Sequence, residues 1–193
     1  MRLDILNRGY GPGARLLFAL IRLFSGHPVP DAARLVFYRP DFYGTRAKAF
    51  THEVMRGPSG WSAGDRELMA AYVSQVNESA FCIGAHSATA RRAYQDGAKV
   101  QAVLADLESA PVEEPLRATL RMLGQLTAEG ELSAADMRDV LSAGVSPQQV
   151  RDALAVCAAF NTTDRLADAF GFEVLTPEAF DAGAKYLLKR GYR

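Results

Sequence analysis

Two cysteines and three histidines are all that the 193 residues contain, and the formal charge is zero, with 22 basic against 22 acidic side chains. Two cysteines, Cys82 and Cys157, do not make a disulfide framework, and a reducing cytoplasm fits the chain. Neither His27 nor His52 has a Cys or a second His at metal-ligand spacing, so both read as solvated surface residues and no metal is expected. A balanced charge without a basic stripe gives nucleic-acid binding no electrostatic support. No apolar run reaches the ~18 residues that span a membrane. Leu16 to Ile21 follows three arginines in the manner of a signal peptide. Arg22 interrupts it, however, and Pro28 and Pro30 follow without a cleavage pattern. No membrane partner is expected. No stretch shows sustained period-two alternation, so an all-α fold is expected. No low-complexity linker divides the chain.

What is present is a sequence of capped helices. Met1 to Gly13 reads as irregular, Ala14 to Phe24 as a helix, and Asp31 as the cap of a short helix that stops before Pro40. Asp41 to Arg56 reads as a helix ended by Gly57-Pro58-Ser59-Gly60. Ser62, with Asp65 three residues on, starts the next as a partial capping box. Its apolar stripe is Met69, Tyr72, Val73 and Val76, while Ala70, Ala71 and Ser74 leave a face small enough for another helix to approach Glu67. Spacing alone favours a solvated Glu67 in the first turn. Further helices are expected over Ala80 to about Asp96 with Gly97 as C-cap, Ala98 to Glu108, Glu113 to Ala128, Ala134 to Ala143, Pro147 to Phe170, and Pro177 to about Arg190. This makes one domain over 41–193 preceded by an N-terminal helical extension over 1–40.

The stretch Asn77 to Ser87 holds the densest chemistry. If Ser79 is the N-cap, Cys82 is the third helical residue, close to unpaired N–H groups and the positive end of the helix dipole. Both favour the thiolate, which is the nucleophile. His86, four residues on, projects from the same face one turn away. Beside this stands the plain alternative: Cys82 lies between Phe81 and Ile83, and cysteine is among the most buried residues. Cys157 falls on the apolar stripe with Val150 and Leu154 and reads as core. Asn161, Asp164, Arg165 and Asp168 follow it as a local polar cluster, with Arg165 pairing to Asn161 or Asp168.

Asp65-Arg66-Glu67-Leu68, Val73-Ser74 and Asn77 to His86 together resemble the core motif of the alkyl hydroperoxidase D (AhpD-like)/carboxymuconolactone decarboxylase family. That motif is a glutamate, eleven residues, then C-x-x-C-x-x-x-H, and Glu67, Ser79, Cys82 and His86 fall at its four places. Asn161 to Asp168 is similar to the family's second conserved helix, and the resemblance spans about 40 to 177. It implies an all-helical, commonly oligomeric protein. In the peroxidase branch the cysteine at the place of Cys82 attacks peroxide, a second cysteine resolves it, and the glutamate and histidine relay protons. Ser79 stands where the partner cysteine would be, so the resemblance implies a one-cysteine peroxidase or thiol oxidoreductase. Its substrate is a hydroperoxide, an external thiol is its reductant, and no cofactor is called for. Two alternatives stay open. One is a decarboxylase-like enzyme using His86 and Glu67 as acid and base on a small carboxylated lactone. The other is a non-catalytic oligomeric helical protein.

Overall fold

The computed structural model describes residues 4–192, and of Phe42 the backbone alone. Met1 to Leu3 of the stretch read as irregular lie outside the described residues. The rest is all-α, with no strand among the described residues. A 3₁₀ turn at Asp4–Asn7 is followed by α1 (Pro12–Ser25), α2 (Asp31–Tyr38), a π turn (Pro40–Gly44), α3 (Thr45–Arg56), α4 (Ala63–Val76), α5 (Ala80–Tyr94), α6 (Gly97–Ala105), α7 (Glu114–Glu129), α8 (Ala134–Ser142), α9 (Pro147–Phe170) and α10 (Pro177–Arg190). No described helix is long and apolar enough to cross a membrane.

α4 is the axis. It packs against α3, α5, α6, α7 and α9, and most of its circumference is buried, including Arg66 and Glu67. Its start is a full capping box: Ser62 accepts from the Asp65 N–H and Asp65 accepts from the Ser62 N–H. Asp65 also accepts the Tyr94 hydroxyl at 2.5 Å, which ties the start of α4 to the end of α5. Ala70 and Ala71 are fully buried, so α5 lies close along α4 as the small side chains imply. α5 is in turn close to α10: a Cβ at Gly84 would come within 2.5 Å of the Phe180 ring. α9 begins with a second capping box, Ser146 with Gln149, and Pro147 at its first position.

Two apolar clusters fill the interior. The larger gathers α4, α6, α7 and α9 around Met69, Leu120, Leu123 and Phe160. The smaller joins Phe81 and Cys82 of α5 to Ala167, Phe172 and Phe180, and the N-terminal elements close it with Leu6 and Leu35. The outer face of α1 has no cover among the described residues: Leu16, Leu20, Leu23 and Phe24 are exposed, the last at 83%.

Several boundaries differ from those expected. The helix expected from Asp41 is a π turn up to Gly44, in which the Gly44 N–H reaches the Arg39 carbonyl, and the α-helix begins only at Thr45. Asp31 is the first residue of α2 rather than its cap, and its carboxylate accepts the Glu173 N–H at 3.0 Å. Gly97 does not end α5. Gln95 takes the left-handed conformation there (φ 56°), and Asp96 caps α6, which Gly97 begins.

Candidate active site

Glu67 is 0% exposed, which overturns the solvated glutamate that spacing alone favours. Burial by itself would raise its carboxyl. The hydrogen bond and charge of His86, with Arg56, outweigh this and hold it below the usual carboxylate range. Glu67 Oε2 lies 2.7 Å from His86 Nδ1, and Oε1 accepts Arg56 Nη2 at 2.5 Å and the Tyr192 hydroxyl at 2.8 Å. An ionised carboxylate only accepts hydrogen bonds. His86 therefore carries its proton on Nδ1 toward Glu67, and Nε2 is the nitrogen left for chemistry. The imidazole is seated edge-on against Phe160, with ring centroids 4.3 Å apart.

Cys82 lies one helical turn before His86 and is 1% exposed. A helix-start thiol is expected to ionise readily, and here it does not. Burial pushes the thiol up strongly and the Asp164 carboxylate beside it adds to this, against a smaller downward pull from a hydrogen bond with Ser79. Burial and the neighbouring Asp164 carboxylate together favour a protonated Cys82 thiol at rest. The helix dipole is outweighed because the sulfur lies in the smaller apolar cluster, away from water.

Asp164 is fully buried. It accepts Ser74 Oγ at 2.8 Å through Oδ1 and Asn77 Nδ2 at 2.9 Å through Oδ2. Burial raises its carboxyl, and the donors Asn77, Cys82 and Ser74 pull it down in part. A raised carboxyl is a suitable acceptor for a thiol proton. Ser79 occupies the cap position by its backbone, but its hydroxyl makes no cap hydrogen bond and donates instead to Asp168 Oδ1 at 3.1 Å. Between α4 and α5, Glu78 takes a left-handed φ of 58°, a strained turn that sets Ser79 and Cys82 against α9.

The structure thus brings all four expected residues onto the α4–α5 pair: Glu67 with His86, and Ser79 with Cys82. It adds Asp164 and Asp168 from α9, Arg56 from α3, and Tyr192 after α10. Asn161 and Asp168 do not serve Arg165. Asn161 donates to Cys157 Sγ at 3.2 Å and accepts Asn77 Nδ2 at 3.1 Å, because the polar side of α9 faces the α4–α5 turn. Cys157 is core as expected, and both cysteines are free. His52 is not a plain surface residue, since its Nδ1 accepts the Tyr192 N–H at 3.2 Å. Asp164 was within sight in the sequence, in the α9 stretch. Arg56 and Tyr192 gave no local signal, being brought to Glu67 by tertiary packing.

The sequence model of the carboxymuconolactone decarboxylase family matches residues 40–123, the segment that carries Glu67, Ser79, Cys82 and His86. No curated protein matches the chain in sequence. An uncharacterized peroxidase-related protein from Silicibacter sp. TM1040 shares the fold with TM-score 0.78 and 23% identity over 93% of each chain. An AhpD-core, peroxidase-related protein from Ralstonia eutropha JMP134 does so with TM-score 0.75 and 22% identity over 91% of each. The debrominase Bmp8, as a cysteine-to-alanine variant in complex with 2,3,4-tribromopyrrole, aligns with TM-score 0.71 and 14% identity over 87% of this chain and 88% of that one.

Proposed function

We propose that this chain, whose residues 40–123 match the sequence model of the carboxymuconolactone decarboxylase family, is an AhpD-like, cysteine-dependent peroxidase or thiol oxidoreductase of one-cysteine type. One observation carries the reading: the Cys82 thiol sits on a buried carboxylate, Asp164, one turn from an imidazole held by a second buried carboxylate, Glu67. Cys82 sulfur attacks the terminal oxygen of a hydroperoxide. The O–O bond breaks, an S–O bond forms, and the departing alkoxide needs one proton. The thiol supplies that proton, by way of Asp164 as its first acceptor and His86 Nε2 as the group that passes it on. Ser79 cannot form a disulfide, and Cys157 is engaged by Asn161 and Thr127. An external thiol therefore returns the sulfenic acid to the reduced state, releasing water and a disulfide in two exchanges. The fold hosts a small organic ligand in the debrominase, in keeping with a small-molecule substrate here. The outward apolar face of α1 supports the homo-oligomer that belongs to the same reading.

The test is the second-order rate at which a hydroperoxide consumes the Cys82 thiol across pH, with Cys82→Ser as control. A reaction at neutral pH, faster than that of a free thiol and absent from the control, is expected. A rate that merely climbs with thiolate formation at alkaline pH is that of a packed cysteine and removes the proposal. The same observation that complicates the thiol, its protonation at rest, favours a second reading: acid–base chemistry at His86 and Glu67 on a small carboxylated lactone. Turnover of such a lactone that survives Cys82→Ser and is lost in His86→Gln selects it.

A further inference from the structure

The segment after α10 turns back into the bundle. Gly191 has φ 68°, and a Cβ there would come within 2.5 Å of the His52 ring, so both backbone conformation and space call for glycine. The turn delivers Tyr192 beside Glu67 and His86. Its N–H is held by His52, its ring lies nearly parallel to that of His86 (17°, centroids 6.5 Å apart), and the Arg56 guanidinium sits 5.2 Å from its centroid. The phenol points inward and donates to Glu67 Oε1.

We propose that Tyr192 is a positioning residue of this site: with Arg56 its hydroxyl occupies Glu67 Oε1, which keeps that carboxylate an anion aimed through Oε2 at His86 Nδ1. The role rests on the acid–base use of His86 proposed above. A carboxylate with three donors on two oxygens has one orientation that satisfies all of them. Taking one donor away loosens the orientation and weakens the preference for the charged form. Arg56 from α3, His86 from α5 and Arg66 on α4 itself are the other ionisable groups acting on Glu67. None of these residues is replaced in Tyr192→Phe, which keeps the ring and removes a single oxygen, and with it the longer 3.5 Å contact of that oxygen to His86 Nδ1.

The experiment is carbon-detected NMR titration of the Glu67 side-chain carboxyl in the full-length protein, followed with the His86 Nδ1 proton resonance. In Tyr192→Phe the Glu67 midpoint is expected to rise by about one pH unit. The His86 Nδ1 proton signal, which depends on an ionised Glu67, is expected to disappear at a correspondingly higher pH as acid is added. Gly191→Ala, which keeps the phenol but blocks its approach, is expected to reproduce the shift. A Glu67 midpoint unmoved in Tyr192→Phe overturns the proposal, as does a Gly191→Ala protein that is folded and leaves it unmoved. The readout needs no peroxide. An inert Cys82 would remove the peroxidase reading alone, and an unmoved Glu67 would remove this one alone.

Discussion

At the scale of single residues, burial and then Asp164 keep the proton on the Cys82 sulfur at rest, and Asp164 is the part of this that one substitution can remove. Asp164→Asn removes the charge while keeping the shape, so the thiol midpoint, followed by thiolate absorbance, is expected to fall by about one to two units. If Asp164 also accepts the proton during attack, the rate with hydroperoxide at neutral pH falls in the same variant. A lower midpoint with a faster reaction would assign Asp164 a restraining role instead. The two buried carboxylates also act oppositely on stability. Glu67 is lowered on folding, so its contribution is present above the unfolded value of ~4.3 and is lost as pH falls through the folded one. Asp164 is raised, so the folded form loses stability as pH rises from ~3.9 through its folded value. Glu67→Gln leaves the Arg56 guanidinium without its anion and is expected to cost about 3–5 kcal/mol at neutral pH, with a flatter acid limb in denaturant titrations across pH. An acid limb as steep as wild type would show that Glu67 is not the group that titrates.

At the scale of elements, the strongest local signals were the caps. Ser62, Ser146-Pro147 and Thr176-Pro177 placed α4, α9 and α10 because a hydroxyl that meets free N–H groups, and a proline that lacks one, act over a few residues. The end of α5 was not legible, since Gly97 is the residue that ordinarily takes the left-handed place, which Gln95 takes here while Asp96 caps the next helix. The site shows the same division. Glu67, Cys82 and His86 share two adjacent helices and could be read by spacing. The second and third partners of Glu67, Arg56 and Tyr192, are set by how α3 and α10 lie against α4 and α5. Gly84 measures that second packing. A helical Gly→Ala ordinarily gains up to about 1 kcal/mol. Gly84→Ala is instead expected to destabilise by about 1–3 kcal/mol, because its Cβ meets Phe180. Thermal unfolding checks the sign, and a raised Tm would mean that α10 yields without cost.

At the scale of the whole molecule, the two cysteines report on different interiors. Cys157 lies in the large cluster built by α4, α6, α7 and α9, whereas Cys82 lies in the small one that Leu6 and Leu35 complete from the N-terminal segment. The N-terminal elements therefore act as the wall between Cys82 and solvent on that side, and Tyr43 of the π turn packs there too. A wall held by few apolar contacts opens at lower free energy than the bundle it covers. Leu6 is fully buried, and Leu6→Ala is expected to remove about 2–5 kcal/mol from that contact. The loss falls on the opening of the segment before it falls on global unfolding. Labelling by a disulfide reagent is then expected to speed up severalfold at Cys82 and to stay unchanged at Cys157, with the helical circular dichroism signal retained. Equal acceleration at both thiols would mean that the segment and bundle unfold as one unit. No acceleration at either would mean that Cys82 is reached from the side of Tyr192. The substrate path would then run past the phenol rather than beneath the N-terminal helices.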